Sequence, residues 1–200
     1  MTMTLPEIRI LINQLDPEIR SLLMKRMDYS ALVTEAKLAS GDTTVYRPDR
    51  EEAVLESLSR EVPKDRLPEY LSVVRKIMEA SRMYQYGLIY DRLEDPFGPL
   101  SREITVPADC RLVTITLTRP DRPNSMSAIL SMIGDYGFDM EQMERTGSNE
   151  EAGTVTFRLQ IRGDLNETRM KKLIFRLSGE CEDFRIQGCA GCSPEEKTAE

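Results

Sequence analysis

Apolar residues recur along this chain with two different periods, and the change of period divides it. From the N-terminus, Ile8, Ile12, Leu15, Ile19, Leu22, Tyr29 and Val33 fall at alternating steps of four and three residues, with Arg26 in the same register. That spacing puts them on one face of a helix predicted over residues 5–39. Helices are also predicted at 49–60 and 67–91, with Gly41-Asp42 and Pro48 bracketing the first connection and Pro63 marking the second. Past residue 95 the period becomes two. Val113, Ile115 and Leu117 alternate with threonines, and Val155, Phe157, Leu159 and Ile161 alternate with polar residues. Helical stretches at 125–136 and 167–177, with shorter strands near 138–145 and 182–187, complete the order βαββαβ. It predicts a small antiparallel sheet covered on one face by two helices.

Residues 1–92 are therefore expected to form an all-α three-helix domain, 93–103 a linker, 104–192 an α+β domain and 193–200 a mobile tail. A first helix of about 35 residues is too long to bury its stripe against two shorter helices. An intertwined dimer, with the long helices crossing between subunits, resolves this.

Four polar residues interrupt the helical seams. Arg26 and Lys37 lie on the first, and Ser81 and Gln85 replace apolar residues in a second seam of Val74, Met78 and Leu88. At roughly 100° per residue, the step from Arg26 to Lys37 closes to within about 20° of whole turns and spans about 16 Å, so the two side chains can converge. Ser81 and Gln85 are one turn apart. Charges withdrawn from water need partners, so these groups are expected to be buried and to enclose an anionic ligand. Arg9 lies about 100° off the Arg26 face and roughly 25 Å along the axis. It cannot serve the same pocket within one straight helix, but it can serve a partner's.

Composition narrows the chemistry. Histidine is absent, which removes the usual general base, the Ser-His and Cys-His nucleophile systems and most zinc enzymology. A formal net charge of -7 argues against nucleic acid as a bulk partner. The apolar runs are too short for a membrane span, and no signal-peptide pattern opens the chain, so a cytoplasmic location is expected. Cys189 and Cys192 have a two-residue gap, but with no histidine to complete a tetrahedral site they read as incidental reduced thiols near a strand end, as do Cys110 and Cys181. No metal or cofactor is expected.

In order and nearly in spacing, Arg9, Arg26, Val33, Lys37, Arg50-Glu51, Ser81 and Gln85 resemble the active-site pattern of the all-helical chorismate mutases, over about residues 5–91. The second half resembles an ACT regulatory domain, of ferredoxin-like fold, especially that of prephenate dehydratases. Phe157-Arg158-Leu159-Gln160-Ile161 and the closing strand from Phe184 to Cys189 carry that likeness. The first resemblance implies the Claisen rearrangement of chorismate to prephenate, a pericyclic step without nucleophile, metal or proton transfer. Catalysis would come from holding the compact conformer and stabilising charge on the ether oxygen. By resemblance, Arg26 with Ser81 holds one carboxylate and Arg9 of a partner subunit the other. Lys37 and Gln85 donate to the ether oxygen, Glu51 accepts from the ring hydroxyl, and Arg50 supports it; Val33 lines the pocket.

Two departures qualify the likeness. Arg47 stands where the family commonly has aspartate, adding a cation beside the substrate. In the ACT half, the motif that lines the phenylalanine site of dehydratase domains appears as Asn124-Ser125-Met126-Ser127, and the later Glu-Ser-Arg-Pro motif as Glu144-Arg145-Thr146-Gly147. Phenylalanine, another amino acid or no ligand at all therefore stay open as effectors. The dehydratase catalytic domain that separates such halves in bifunctional enzymes has no room in the linker, so prephenate but not phenylpyruvate is the expected product. Two other readings remain: a non-catalytic amino-acid sensor paired with a separate dehydratase, and a mutase specialised on isochorismate. A homodimer or tetramer accommodates all of them.

Overall fold

The computed structural model describes residues 3–123 and 125–191. Asn124, Cys192 and the tail expected at 193–200 lie outside them. The chain divides into two compact units, Met1–Ile89 and Tyr90–Glu200.

The first unit is built on α1 (Leu5–Ala39), α2 (Pro48–Ser59) and α3 (Leu67–Arg92). Local chemistry sets their ends. The Glu7 carboxylate accepts from both the backbone N–H and the hydroxyl of Thr4, each at 2.7 Å, tying down a free N–H at the start of α1. Past the last turn, Gly41 takes φ +76°, a conformation that glycine adopts without a Cβ penalty. Pro48 opens α2, one residue earlier than predicted, because proline fits the first helical position, and Asp49 and Glu51 follow in the first turn.

Packing within this unit is uneven. Val74, Met78, Tyr86 and Ile89 of α3 are buried, as is Val45 of the α1–α2 connection. On α1, by contrast, the buried described residues are Ser30 and Thr34. Their hydroxyls donate to the carbonyls one turn back, at 3.0 Å in each case, which lets short polar side chains sit inside the bundle. The α1 seam itself is uncovered: Ile8, Ile12, Leu15, Ile19 and Leu22 are 41–68% exposed.

The second unit holds a short helix α4 (Gly98–Ser101) and then β1 (Cys110–Pro120), α5 (Ser125–Asp135), β2 (Asp139–Asn149), β3 (Thr154–Arg162), α6 (Thr168–Glu180) and β4 (Glu182–Gly191). The order along the chain is the predicted βαββαβ. The strands form one antiparallel sheet in the order β2-β3-β1-β4, with Ile115 opposite both Leu159 and Ile186. Val113, Ile115, Leu117, Leu159 and Ile161 are fully buried, as are Ile129 and Met132 of α5 and Met170, Leu173, Ile174 and Leu177 of α6. One apolar sheet face and two apolar helix faces thus make a single core.

Some elements differ from the sequence expectation. The linker contains α4, where Pro99 occupies an early helical position that it tolerates. β4 runs on to Gly191, so Cys189 lies on the strand opposite Val113. β2 is longer than predicted and mostly exposed, because it is an edge strand held by its ladder to β3.

A charged group is also buried in this unit. Arg176 is fully buried and its Nε donates to Glu180 at 2.9 Å, while Arg119 donates to the Glu180 carbonyl. Burial pushes the neighbouring Tyr136 hydroxyl up and drives the Cys181 thiol up to about 12, with Arg119 opposing the latter. Burial likewise takes Cys189 up to about 12, with Cys110 beside it adding to the effect. Such thiols are poor nucleophiles and poor metal ligands. Among the described residues no cluster of three or more Cys, Asp or Glu is arranged to hold a metal ion, and no helix is long and apolar enough to cross a membrane.

Candidate active site

α1, α2, α3 and the connection between the first two border an open cavity of about 620 Å³ within the first unit. Arg26, Val33 and Lys37 reach it from α1; Arg47, Arg50 and Glu51 from the start of α2; Ser81 and Gln85 from α3. Eight of the nine predicted substrate residues therefore line one space. The ninth, Arg9, is exposed on α1 away from it.

The polar groups are tied together by hydrogen bonds. Arg26 Nη1 donates to Ser81 Oγ and, at 3.4 Å, to the Ile77 carbonyl, to which Ser81 Oγ also donates at 3.0 Å. Ser81 can accept from Arg26 because its own proton is directed to Ile77. Gln85 Nε2 reaches the Ser81 carbonyl at 3.4 Å, a long bond. Lys37 Nζ donates to the Thr44 carbonyl, linking the end of α1 to the loop that follows it.

Burial pushes the Lys37 ammonium below the ordinary lysine value; Asp42 opposes this, and the cations Arg47 and Arg50 add to it. Arg47 pairs with Asp42 at 3.2 Å while lining the cavity, so its charge is partly answered within the chain. Hydrogen bonds from Thr44 hold the Asp42 carboxyl below the usual carboxylate range.

One expectation needs correcting. The interrupting polar residues are not uniformly buried: Ser81 is buried, Lys37 and Gln85 are half-buried, and Arg26 is exposed. The reason lies in α1, whose seam α2 and α3 do not cover in a single chain.

The structure also adds residues that the seam did not reveal. Arg82 is buried, lines the cavity and donates to Glu51 Oε1. Ser30, Val45, Asp49 and Val54 also line it, and Tyr29 and Met78, which lie on the counted seams, complete the wall. Arg82 was legible in one respect, since it stands one turn after Met78 and three residues before Gln85, a spacing shared by one helix face. Five cations, Arg26, Lys37, Arg47, Arg50 and Arg82, face two carboxylates, Asp49 and Glu51. The space is thus electropositive in a chain of net charge -7, with apolar walls from Val33, Val45, Val54 and Met78. Such a setting suits a compact organic anion with more than one negative group.

In the second unit, the residues expected to hold an effector fall at the start of α5 and on β2. Ser125 is buried, Met126 half-buried and Ser127 exposed at the start of α5. Glu144 is exposed on β2 and paired with Arg158 at 3.3 Å. Asn124 lies outside the described residues.

Residues 8–86 match the family described as chorismate mutase type II. Two solved structures share low similarity with the chain. One is GqqA, described as a novel type of quorum quenching acylase, at 18% identity and a TM-score of 0.42, over 46% of this chain and 49% of that one. The other is a prephenate dehydratase from Arthrobacter aurescens in complex with L-Phe, at 16% identity and a TM-score of 0.40, over 44% of this chain and 29% of that one. The chain spans about half of the first and less than a third of the second. A comparison with curated proteins finds no match.

Proposed function

From the premise that this chain carries a chorismate mutase type II domain, an isomerase domain, over residues 8–86, we propose that it converts chorismate to prephenate in the cavity between α1, α2 and α3. The observation that carries this reading is the gathering of Arg26, Lys37, Arg50, Glu51, Ser81 and Gln85 around one electropositive space.

The rearrangement breaks a C–O bond as a C–C bond forms, and negative charge grows on the ether oxygen. The fold's contribution is conformational and electrostatic. Arg26 and Ser81 grip one carboxylate of the substrate, and Lys37 and Gln85 donate to the ether oxygen. Glu51 accepts from the ring hydroxyl, with Arg50 beside it. Lys37 contributes most where charge develops, because a donor already fixed in a partly dry site needs no reorganisation during the reaction.

The second carboxylate falls to Arg9 of a partner subunit. Support comes from the exposed α1 seam, since burying a side chain such as Leu or Ile contributes roughly 1.5–3 kcal/mol, and five of them stand uncovered in one chain. A homodimer that crosses its long helices covers the seam and brings Arg9 to a neighbouring cavity. The second unit is assigned to regulation by an aromatic amino acid. Its βαββαβ order and the Phe157–Ile161 and Phe184–Cys189 strands support that reading, and the product would feed phenylalanine and tyrosine synthesis.

Disappearance of chorismate absorbance with the purified chain tests the activity directly. Lys37→Ala is expected to lower the rate by about 10²- to 10³-fold. Wild-type protein without turnover, or a Lys37→Ala variant as fast as wild type, overturns the assignment.

A further inference from the structure

Arg82 is a cavity-lining cation to which the proposed chemistry gives no role. It follows Ser81 on α3 and is only 8% exposed. Its Nη1 donates to Glu51 Oε1 on α2, and the two side chains are 10% and 25% exposed. The same guanidinium lies over the Tyr46 ring, 5.0 Å from its centroid. Arg82 therefore touches both α2 and the segment that leads into it.

α2 needs such a tether. It has twelve residues and none of them is fully buried, and a helix of that length is marginal without tertiary contacts. A charge-assisted bond between guanidinium and carboxylate is directional and roughly twice as strong as a neutral one. The aromatic face adds a cation–π attraction and restrains the guanidinium plane. A glutamate on a half-exposed short helix otherwise samples several rotamers, whereas one bonded from below keeps one oxygen engaged and the other available.

We propose that Arg82 is a positioning residue that acts on the substrate only through Glu51, fixing the carboxylate that accepts from the substrate's hydroxyl while Tyr46 braces the guanidinium. This rests on the mutase reading above. A direct contact is the chemical alternative, because arginine's N–H donors suit a substrate carboxylate equally well.

A double-mutant cycle in the full chain separates the two. kcat/KM for chorismate is measured for wild type, Arg82→Met, Glu51→Gln and the double variant, with thermal unfolding recorded for each. Each single change is expected to lower kcat/KM by roughly tenfold or more, and the double variant to fall within about twofold of Glu51→Gln alone. Arg82→Lys keeps the charge but not the planar fork. Its loss should be partial in the wild-type background and absent in the Glu51→Gln background, and this cycle decides by the same criterion where the Met variant does not fold. A purely structural role would lower activity in the Glu51→Gln background too, in step with stability. Losses that multiply overturn the proposal and leave the mutase reading standing; wild-type protein without turnover overturns both.

Discussion

Lys37 stands between opposing influences, with burial and two arginines pressing its proton off and Asp42 holding it on. Its ammonium is the donor assigned to the ether oxygen, so activity requires the charged form. With its pKa displaced downward, deprotonation begins at lower pH than the ordinary lysine value of 10.5, and kcat/KM should fall on the alkaline side below that value. A bound dianion favours the ammonium, so the alkaline limb of kcat should lie at higher pH than that of kcat/KM. Profiles of both constants from neutral pH up to the ordinary lysine value of 10.5 check this, and coincident limbs would contradict it. Among the residues around the cavity, those on the counted seams were legible because each broke an apolar period: Arg26, Lys37, Ser81, Gln85. Arg82 shares a helix face with Met78 and Gln85 but broke no counted period, since the cavity wall is wider than one seam and takes in the position beside Ser81. Exposure of Arg26 was equally illegible, because periodicity tells which face a residue shares but not whether its own chain covers that face.

At the scale of elements, α1 was readable along most of its length, because a helical period runs from Ile8 and stops before Gly41. α4 was hidden by Gly98 and Pro99, residues that mark turns yet also open helices. β2 carries little apolar alternation, as an edge strand with both faces largely wet need not, and its extent follows from pairing with β3 rather than from its own residues. The exposed seam of α1 has the most direct experimental consequence. Ile12 and Leu15 are 52% and 54% exposed, so a charge there costs an isolated chain little. Ile12→Glu and Leu15→Glu should instead split the proposed dimer, shifting sedimentation toward the monomer, and should abolish turnover by removing Arg9 from the neighbouring cavity. An unchanged oligomer would show that the stripe is covered in some other way.

For the whole molecule, the order of elements was legible from the switch of period, whereas the β2-β3-β1-β4 arrangement came from pairing that no local pattern states. The fully buried Arg176–Glu180 pair is similarly silent in sequence, because a charged residue on a helix reads as wet until its neighbours are known. A regulatory role for the second unit predicts that phenylalanine, tyrosine or tryptophan raises the unfolding temperature. A ligand at about 100 times its dissociation constant stabilises by about 2.7 kcal/mol, well within calorimetric reach, and no shift with any of the three would remove the support for feedback. The five cations around the cavity have a further effect, on arrival. A dianion approaching a chain of net charge -7 meets a locally positive field at this space, so the field favours encounters there. Screening shortens that field to about 10 Å at 0.1 M salt, and kcat/KM should therefore decline as ionic strength rises while kcat stays level.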